Sequence, residues 1–420
     1  MPRSIEMPAT TSQKIHVHPL SNGLTLVAEE MDWLESAAFA LLLPAGCVYE
    51  KPKQAGLASL TCEMLQRGAG ERDSRQFVSE LENLGADCSA SVNVSHMTFG
   101  GSMPYESLPR VLNLYADLVL RPMLPEDQFE DALLSCLQEV RAVEDDLQQR
   151  VMQELRRRYF GDPWGRSAQG TAEALSALKP KDVKTYFTEW IRPNGGIISV
   201  AGKIDWPQIR DQVENLFGDW KPGLDQPIVE TTPERGYHHI QHDSSQTLIA
   251  LAIDGRSYAH EDYFQLRGAI GALSDGMSSR LFTEVREKRG YVYSVYAMCH
   301  SLKDRGCVIA AAGTTPEYAQ DTFDVTWGEL KRMYEGITQA ELDRLKGRIK
   351  RSLIIQQESS PARAGNIALD WYYLQHVRTK QELQALIDGL TCQSINRWLA
   401  ANPPRNLTVV SLGPQPIKVE

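Results

Sequence analysis

The chain has 420 residues, too long for one typical core, so two or more domains are the default. Hydrophobic residues make up 42% and charged residues 23%, ordinary globular values, and a net charge of −10 excludes the basic face that a nucleic-acid partner needs. No apolar run reaches the roughly 18 residues that would span a membrane.

The stretch from Met1 to Gln13 is polar and contains proline, without the apolar core of a signal peptide. The seven cysteines (Cys47, Cys62, Cys88, Cys136, Cys299, Cys307 and Cys392) are odd in number and show no CxxC spacing. They suit reduced thiols, so a cytoplasmic location is expected.

Leu24 to Glu29 and Ala37 to Leu43 are apolar and strand-like, and Pro44-Ala45-Gly46 breaks the second. Next comes Gly56-Leu57-Ala58-Ser59-Leu60-Thr61-Cys62-Glu63-Met64-Leu65-Gln66-Arg67-Gly68, an amphipathic helix entered and closed by glycine. Asp73 is the expected N-cap of a second helix, with Phe77, Leu81 and Leu84 on one face and Gly85 at its end. Cys88 to Val94 and His96 to Met103 alternate as a hairpin.

Long helices are predicted over Tyr105 to Leu120 and Glu126 to about Phe160, the second ended by Gly161-Asp162-Pro163-Trp164-Gly165. After a short helix, Gly195 to Ala201 reads as a strand. Asp219 to Arg235, with Pro222, Pro227 and Pro233, reads as a linker.

Beyond it the order of elements repeats: strand 247–253, helices 263–273 and 278–288, Gly290, strands 291–299 and 307–313, helices 316–333 and 338–357, and strand 407–412. The expected fold is α+β with two duplicated domains, each a mostly antiparallel sheet packed by helices. The boundaries are 14–218 for the N-terminal domain, 219–235 for the linker and 236–420 for the C-terminal domain. Two unrelated α+β domains are the alternative.

Several segments together give the chain its resemblance to a known family. The helix at Gly56 has the frame G-L-A-H-x-x-E-H-M-L-x-x-G, and Leu137-Gln138-Glu139-Val140 is similar to a third-ligand helix. Asp162-Pro163-Trp164-Gly165 with Gly170-Thr171, Arg192-Pro193-Asn194, and Gly276-Met277-Ser278-Ser279-Arg280-Leu281-Phe282 complete the set. With these, nearly the whole chain resembles the pitrilysin/insulinase zinc metallopeptidases, including the mitochondrial processing peptidase and its two-subunit bacterial relatives. The resemblance implies half of a clamshell of the processing-peptidase, ferredoxin-like type, closing with a second half around a peptide chamber.

In the H-x-x-E-H frame two histidines hold zinc and the glutamate activates water. Here those positions hold Ser59, Cys62 and Glu63. Glu139, 76 residues after Glu63, matches the third ligand position, and the family's supporting glutamate is replaced by Ala132. A serine hydroxyl is a poor zinc ligand, and a cysteine cannot replace the carboxylate base. These are degenerate zinc-site positions; no metal is expected in this chain, and no hydrolysis by it alone.

The resemblance also implies retained parts. Arg286 and Tyr293, seven apart, match an arginine–tyrosine pair that reaches the zinc site of the opposite half. Tyr291 competes for the second role, on the alternate strand face. Ser89-Ala90 stand on the strand that pairs with extended substrate by main-chain hydrogen bonds.

The long glycine-rich loop of the mitochondrial α subunit is missing, so the likeness is to bacterial non-catalytic subunits. The expected function is therefore a non-catalytic subunit of a heterodimeric zinc metallopeptidase, with zinc in a homologous H-x-x-E-H partner and a peptide as substrate. The alternative is a self-associating pseudoenzyme that binds peptides or acts as a scaffold without cleavage.

Three other features were weighed. His238, His239 and His242 have no acidic or thiol partner in sequence and read as a solvated strand. Arg156-Arg157-Arg158 reads as a solvated helix end. Cys62 as a nucleophile lacks a neighbouring histidine, with His96 and His300 the only loosely placed candidates.

Overall fold

The computed structural model describes residues 13–224 and 226–419. The N-terminal stretch read above therefore lies, except for Gln13, outside the described residues. In the first half the strands are β1 (Lys14–Pro19), β2 (Thr25–Glu30), β3 (Ser36–Leu43), β4 (Gly68–Ala69), β5 (Arg72–Asp73), β6 (Asp87–Val92), β7 (Met97–Pro104) and β8 (Ile197–Gly202). The helices are α1 (Leu57–Leu65), α2 (Ser74–Asn83), α3 (Leu108–Leu120), α4 (Phe129–Asp145), α5 (Leu147–Phe160), α6 (Ala172–Ser176), α7 (Pro180–Trp190) and α8 (Trp206–Phe217).

The second half holds β9 (Gly236–Gln241), β10 (Thr247–Asp254), β11 (Val292–Ser301), β12 (Gly306–Thr314) and β13 (Thr408–Gly413). Its helices are α9 (Tyr263–Ser274), α10 (Ala319–Met333), α11 (Gln339–Gln356), α12 (Ser360–Leu374), α13 (Lys380–Gly389) and α14 (Cys392–Ala401). A short π-helix, Phe282–Glu287, stands between α9 and β11.

The first sheet has the order β1-β2-β8-β3-β7-β6 and the second β11-β12-β10-β13-β9. Laid end to end, β6, β7, β3, β8 and β2 correspond to β11, β12, β10, β13 and β9. The pairing directions agree as well. β3 is antiparallel to both β7 and β8, as β10 is to β12 and β13, while β2 with β8 and β9 with β13 are the parallel pairs. The two halves are copies of one α+β design, and β1 is an addition to the first.

The helices that matter most cross between halves. α5 lays Val151, Leu155, Tyr159 and Phe160 on Leu248, Ala250, Ile309, Val410 and Leu412 of the second sheet. In return, α12 lays Ile367 and Ala368 on Val27, Ala40, Leu42 and Ile197 of the first, with Ala364 against Met31, Ala38 and Ala201. Each sheet is thus covered on both faces, so β3, β8, β10 and β13 are buried along almost their full length. Burying four large side chains under α5 alone contributes about 1.5–3 kcal/mol for each.

One ion pair lies inside this crossing. Arg363 on α12 donates from Nε to Oε2 of Glu29 on β2 at 2.7 Å, with Glu29 at 0% exposure and Arg363 at 3%. Ser199 beside it donates to the Ala364 carbonyl at 2.7 Å. The described residues of 219–235 carry no helix or strand and are strapped to the 161–165 loop. Thr231 N donates to the Asp162 carbonyl at 2.8 Å and Trp164 Nε1 to Glu230 at 2.9 Å.

Several local expectations change. The helix read over 126–160 is two helices, because Asp146 leaves helical geometry and its carboxylate accepts from the backbone N–H of Gln148 and Gln149. The helix expected over 278–288 contains the π-helix. β1, α8, α12, α13 and α14 had no counterpart in the reading, and the single short helix before β8 is α6 and α7. β9 ends at Gln241, so His242 does not share a strand face with His238. Arg157 is exposed, as expected of a solvated helix end, and donates to Glu154, whereas Arg158 is half-buried and donates to Glu154 and Glu234.

The crossing predicts a strong single-site effect. Arg363→Met leaves Glu29 buried without its cationic partner, with only the Gln13 amide donating to it at 2.8 Å, and is expected to lower unfolding free energy by about 3–5 kcal/mol in urea titrations. The double change Glu29→Met with Arg363→Met is expected to recover most of that loss. A single variant within about 1 kcal/mol of the parent would contradict this role for the pair.

Candidate functional site

The helix α1 is built to be fixed at its entry. Gly56 has φ +97°, and a β-carbon there would fall 2.8 Å from Leu175 and 2.9 Å from the Gln169 carbonyl. Below it, buried Glu50 accepts from the backbone N–H of Gly56 at 3.1 Å and of Ala58 at 2.8 Å. A carboxylate at a helix N-terminus satisfies orphan donors and complements the dipole. Burial nevertheless pushes the Glu50 carboxyl up to about 8, against the opposing pull of those two N–H groups and Arg166. Sequence reasoning missed Glu50; a lone acidic residue six positions before a helix gives no periodic signal.

Segment 166–170 lies directly over this entry. Arg166 pairs with Asp162 and donates to the carbonyls of Cys47 and Glu50. The Ser59 hydroxyl, in the first histidine position, donates to the Ala168 carbonyl at 2.7 Å. Its hydrogen is thus engaged in holding the covering segment.

One turn on, Cys62 is buried at 5% exposure, and burial together with the Glu63 charge holds its thiol well above the usual range. Such a thiol is not a nucleophile. Nor does a histidine serve it. His96 is packed edge-on against Tyr372 at 4.0 Å, and burial with nearby Lys303 brings it down to about 4. His300 lies against Phe160 and is likewise brought down to about 4 by burial and Arg156.

Glu63 makes an ion pair with Arg67 at 2.6 Å, one helical turn away. Across the α1–α4 contact, Glu139 is held above the ordinary carboxylate range by burial first and by Glu63 second. Cys136 feels the same pair and, with burial as the leading cause, is pushed up to about 12. The structure therefore brings Cys62, Glu63, Cys136 and Glu139 together, with the Arg67 guanidinium as the local positive charge. Among the described residues no group of three or more His, Cys, Asp or Glu is arranged to hold a metal ion.

The Arg286–Tyr293 pair is presented quite differently. Arg286 sits on the π-helix and Tyr293 at the register shift between Val292 and Ser294, a bulge in β11. Bulges and π-turns re-aim side chains at the cost of regular pairing. Here both irregularities fall on the two members of one pair. The guanidinium lies 4.8 Å from the Phe282 ring centroid and 5.2 Å from that of Tyr293, whose side chain is 86% exposed. Neighbouring Lys288 and Arg289 are both taken by Glu284, whereas Arg286 makes no ion pair with a described residue.

Tyr291, the competing tyrosine, is held differently. Its ring stacks on Tyr318 at 5.1 Å and its carbonyl accepts from Thr314 Oγ1 at 2.7 Å, so it is a packing residue. Ser89 and Ala90 stand on β6, the outer strand of the first sheet, where they pair with Gly100 and Phe99 on one side. Among the described residues the opposite side of β6 has no strand partner, and Ser89 is exposed. His238 contacts Arg158 at 3.0 Å, and His239 Nδ1 lies 2.9 Å from Ser411 Oγ.

Duplicated sheets, a blocked ligand helix and an exposed arginine–tyrosine pair define a peptidase scaffold without hydrolytic residues of its own. Residues 26–172 match the family described as insulinase (peptidase family M16), and residues 177–349 the peptidase M16 inactive domain. The chain belongs to the pitrilysin/insulinase family, peptidase family M16, and with Ser59, Cys62 and Glu63 in its zinc-site positions it is a non-catalytic member. An "uncharacterized zinc protease" of Rickettsia bellii is 24% identical, over 91% of this chain and 93% of its own.

A peptidase M16 inactive domain of Pseudomonas fluorescens superposes with a TM-score of 0.89 at 21% identity, covering 97% of this chain and 99% of that one. A protease of Helicobacter pylori gives 0.86 at 21% identity, covering 96% and 100%. Among the described residues no helix is long and apolar enough to cross a membrane.

Glu50 sets an expected pH dependence. Its folded-state value near 8 lies above the ordinary 4.5, so the unfolded chain releases this proton first as pH rises. The stability Glu50 contributes is complete below pH 4.5 and is lost as pH rises toward 8. Glu50→Gln keeps an acceptor for the two N–H groups and removes the titration. Its stability relative to the parent is expected to rise across that window, by up to about 1.4 kcal/mol per pH unit, in denaturant titrations. A pH-independent difference would show that Glu50 is already ionised in the fold.

Proposed function

We propose that this chain is the non-catalytic subunit of a heterodimeric zinc metallopeptidase, paired with a homologous chain that carries an intact H-x-x-E-H helix. Zinc, held by the partner, would polarise the scissile carbonyl and activate water. This chain would supply Arg286 and Tyr293 in trans, part of the chamber wall and the β6 edge. The observation that carries the reading is a contrast within one molecule. Ser59 and Glu63 are engaged within the chain, while Arg286 makes no ion pair with a described residue and Tyr293 is turned outward at a bulge.

The chemistry of each part is direct. The unpartnered side of β6 at Ser89 and Ala90 offers main-chain donors and acceptors to an extended peptide. Arg286 has several N–H donors and would hold a substrate carbonyl. The Tyr293 hydroxyl would donate to the oxygen on which negative charge develops as water attacks, a role worth more in the transition state than in the ground state. The Phe282 ring beneath the guanidinium limits where Arg286 can point. A reducing cytoplasm suits the chain, whose seven cysteines are all free.

Co-expression with the nearest H-x-x-E-H homologue and assay on a quenched peptide library with zinc tests the reading. The pair is expected to cut where neither chain does alone. Tyr293→Phe is expected to lower kcat by about 10²–10³ with assembly and KM little changed, as for loss of an oxyanion donor. Arg286→Ala is expected to raise KM as well. Chelator-sensitive cleavage by this chain alone, or full turnover in both variants, would overturn the proposal.

Zinc content gives a separate check. The purified chain is expected to hold less than about 0.1 zinc per molecule by plasma mass spectrometry. Ser59→His, Cys62→Glu and Glu63→His together are expected to raise this toward one, because Glu139 already stands at the third ligand position. Stoichiometric zinc in the parent chain would contradict the assignment of metal to the partner.

A further inference from the structure

A cavity of about 590 Å³ lies in the second half among α9, α11, α12 and α13. That is within the range of small-molecule pockets. Its apolar wall includes Tyr263, Phe264, Tyr373, Ile387 and Leu390. Its polar groups are dominated by arginine, and most of them are accounted for. Arg267 is paired with Asp275 at 3.1 Å, and Arg363 with Glu29. Asp370 accepts from Arg378 at 3.0 Å and from the Tyr258 hydroxyl at 3.1 Å.

Two cations are left over. Arg348 and Arg351, one turn apart on α11, line the cavity and make no ion pair or hydrogen bond with a described residue. Like charges at this spacing repel. The helix dipole does not explain them, since the last turn of α11 holds no basic residue. Arg348 is exposed, yet Gly276 has φ +104° and a β-carbon there would collide with Arg348 Nη1, so the end of the guanidinium abuts a turn that only glycine leaves open.

A second cavity, of about 530 Å³, lies among α4, α5 and the 161–171 loop and is bordered also by Ile240 of β9. There Arg157 and Arg166 are each tied to a carboxylate, and only Arg150 stands alone. Of these two cavities, the one among α9, α11, α12 and α13 is the one that carries two unpaired arginines over an aromatic wall.

We propose that the second-half cavity binds a small organic anion, a carboxylate or phosphate ester on an apolar body. Arg348 and Arg351 hold the charged head by charge-assisted hydrogen bonds, and the aromatic wall holds the body. The site lies apart from Arg286, Tyr293 and the β6 edge and does not depend on the peptidase reading.

Calorimetric titration of the full chain with phenyl phosphate, 4-phenylbutyrate and neutral 4-phenylbutanol tests this directly. At least one anion is expected to bind saturably at one per chain, about tenfold or more tighter than the alcohol. Its affinity is expected to fall as salt rises. Preference for phenyl phosphate points to a phosphorylated ligand, and preference for 4-phenylbutyrate to a carboxylic one.

Arg348→Ala with Arg351→Ala is expected to weaken the anion at least about tenfold while the far-ultraviolet spectrum is unchanged. Leu383→Trp, which fills the cavity without altering charge, is expected to block binding independently. Anions that bind no better than the alcohol, or that bind both variants as well as the parent, would overturn the proposal.

Discussion

Each central sheet is covered on one face by helices of its own half and on the other by a helix of the opposite half. α5 and α12 do this reciprocally, and everything else is positioned by it. A sheet buried on both faces needs side chains that are apolar at every position. That constraint accounts for the unbroken runs in β3 and β10, which would otherwise be an aggregation hazard. It also ties the two halves into one unit, with the Glu29–Arg363 pair fixing where α12 lies. The α1–α4 site and the π-helix with β11 consequently sit on a scaffold with little freedom between halves.

The legible part of this fold came from local chemistry. Asp73 capping α2, Gly85 ending it and the β6–β7 hairpin are all written in a few adjacent residues, and the structure has them. The repeat order was legible too, because it needs only the sequence of strands and helices. The crossing was not. The apolar runs in β3 and β10 carried the signal that a second cover was required, but nothing local says that it comes from about ninety residues away for β10 and over three hundred for β3. The break at Asp146 was readable as a cap signal and was outweighed by helical periodicity on both sides. α12 has a modest amphipathic pattern, since it is packed along much of its surface rather than on one stripe.

At the site, residue identity could be read and presentation could not. Ser59, Cys62 and Glu63 announce lost zinc chemistry by residue type alone. The sequence does not show that Ser59 is spent on the Ala168 carbonyl, or that Arg67 supplies the positive charge beside two carboxylates. The spacing of Arg286 and Tyr293 could be matched to a family pattern. Their placement on a π-helix and a bulge, the two irregular stretches of that region, is a property of the backbone. π-helical turns and bulges are over-represented at functional positions, where they re-aim side chains. The same division explains the second-half cavity, where Gly276 and Arg348 are 72 residues apart in sequence and in contact in space.

The central claim is that this chain reaches across to chemistry held by another. A structure of the chain bound to its H-x-x-E-H partner, with the partner's catalytic glutamate changed to glutamine and a peptide trapped, tests it most directly. The account predicts the Tyr293 hydroxyl and the Arg286 guanidinium within about 3 Å of peptide carbonyl oxygens beside the partner's zinc. A peptide seated instead on this chain's own α1, or a complex in which both side chains face solvent, would contradict it.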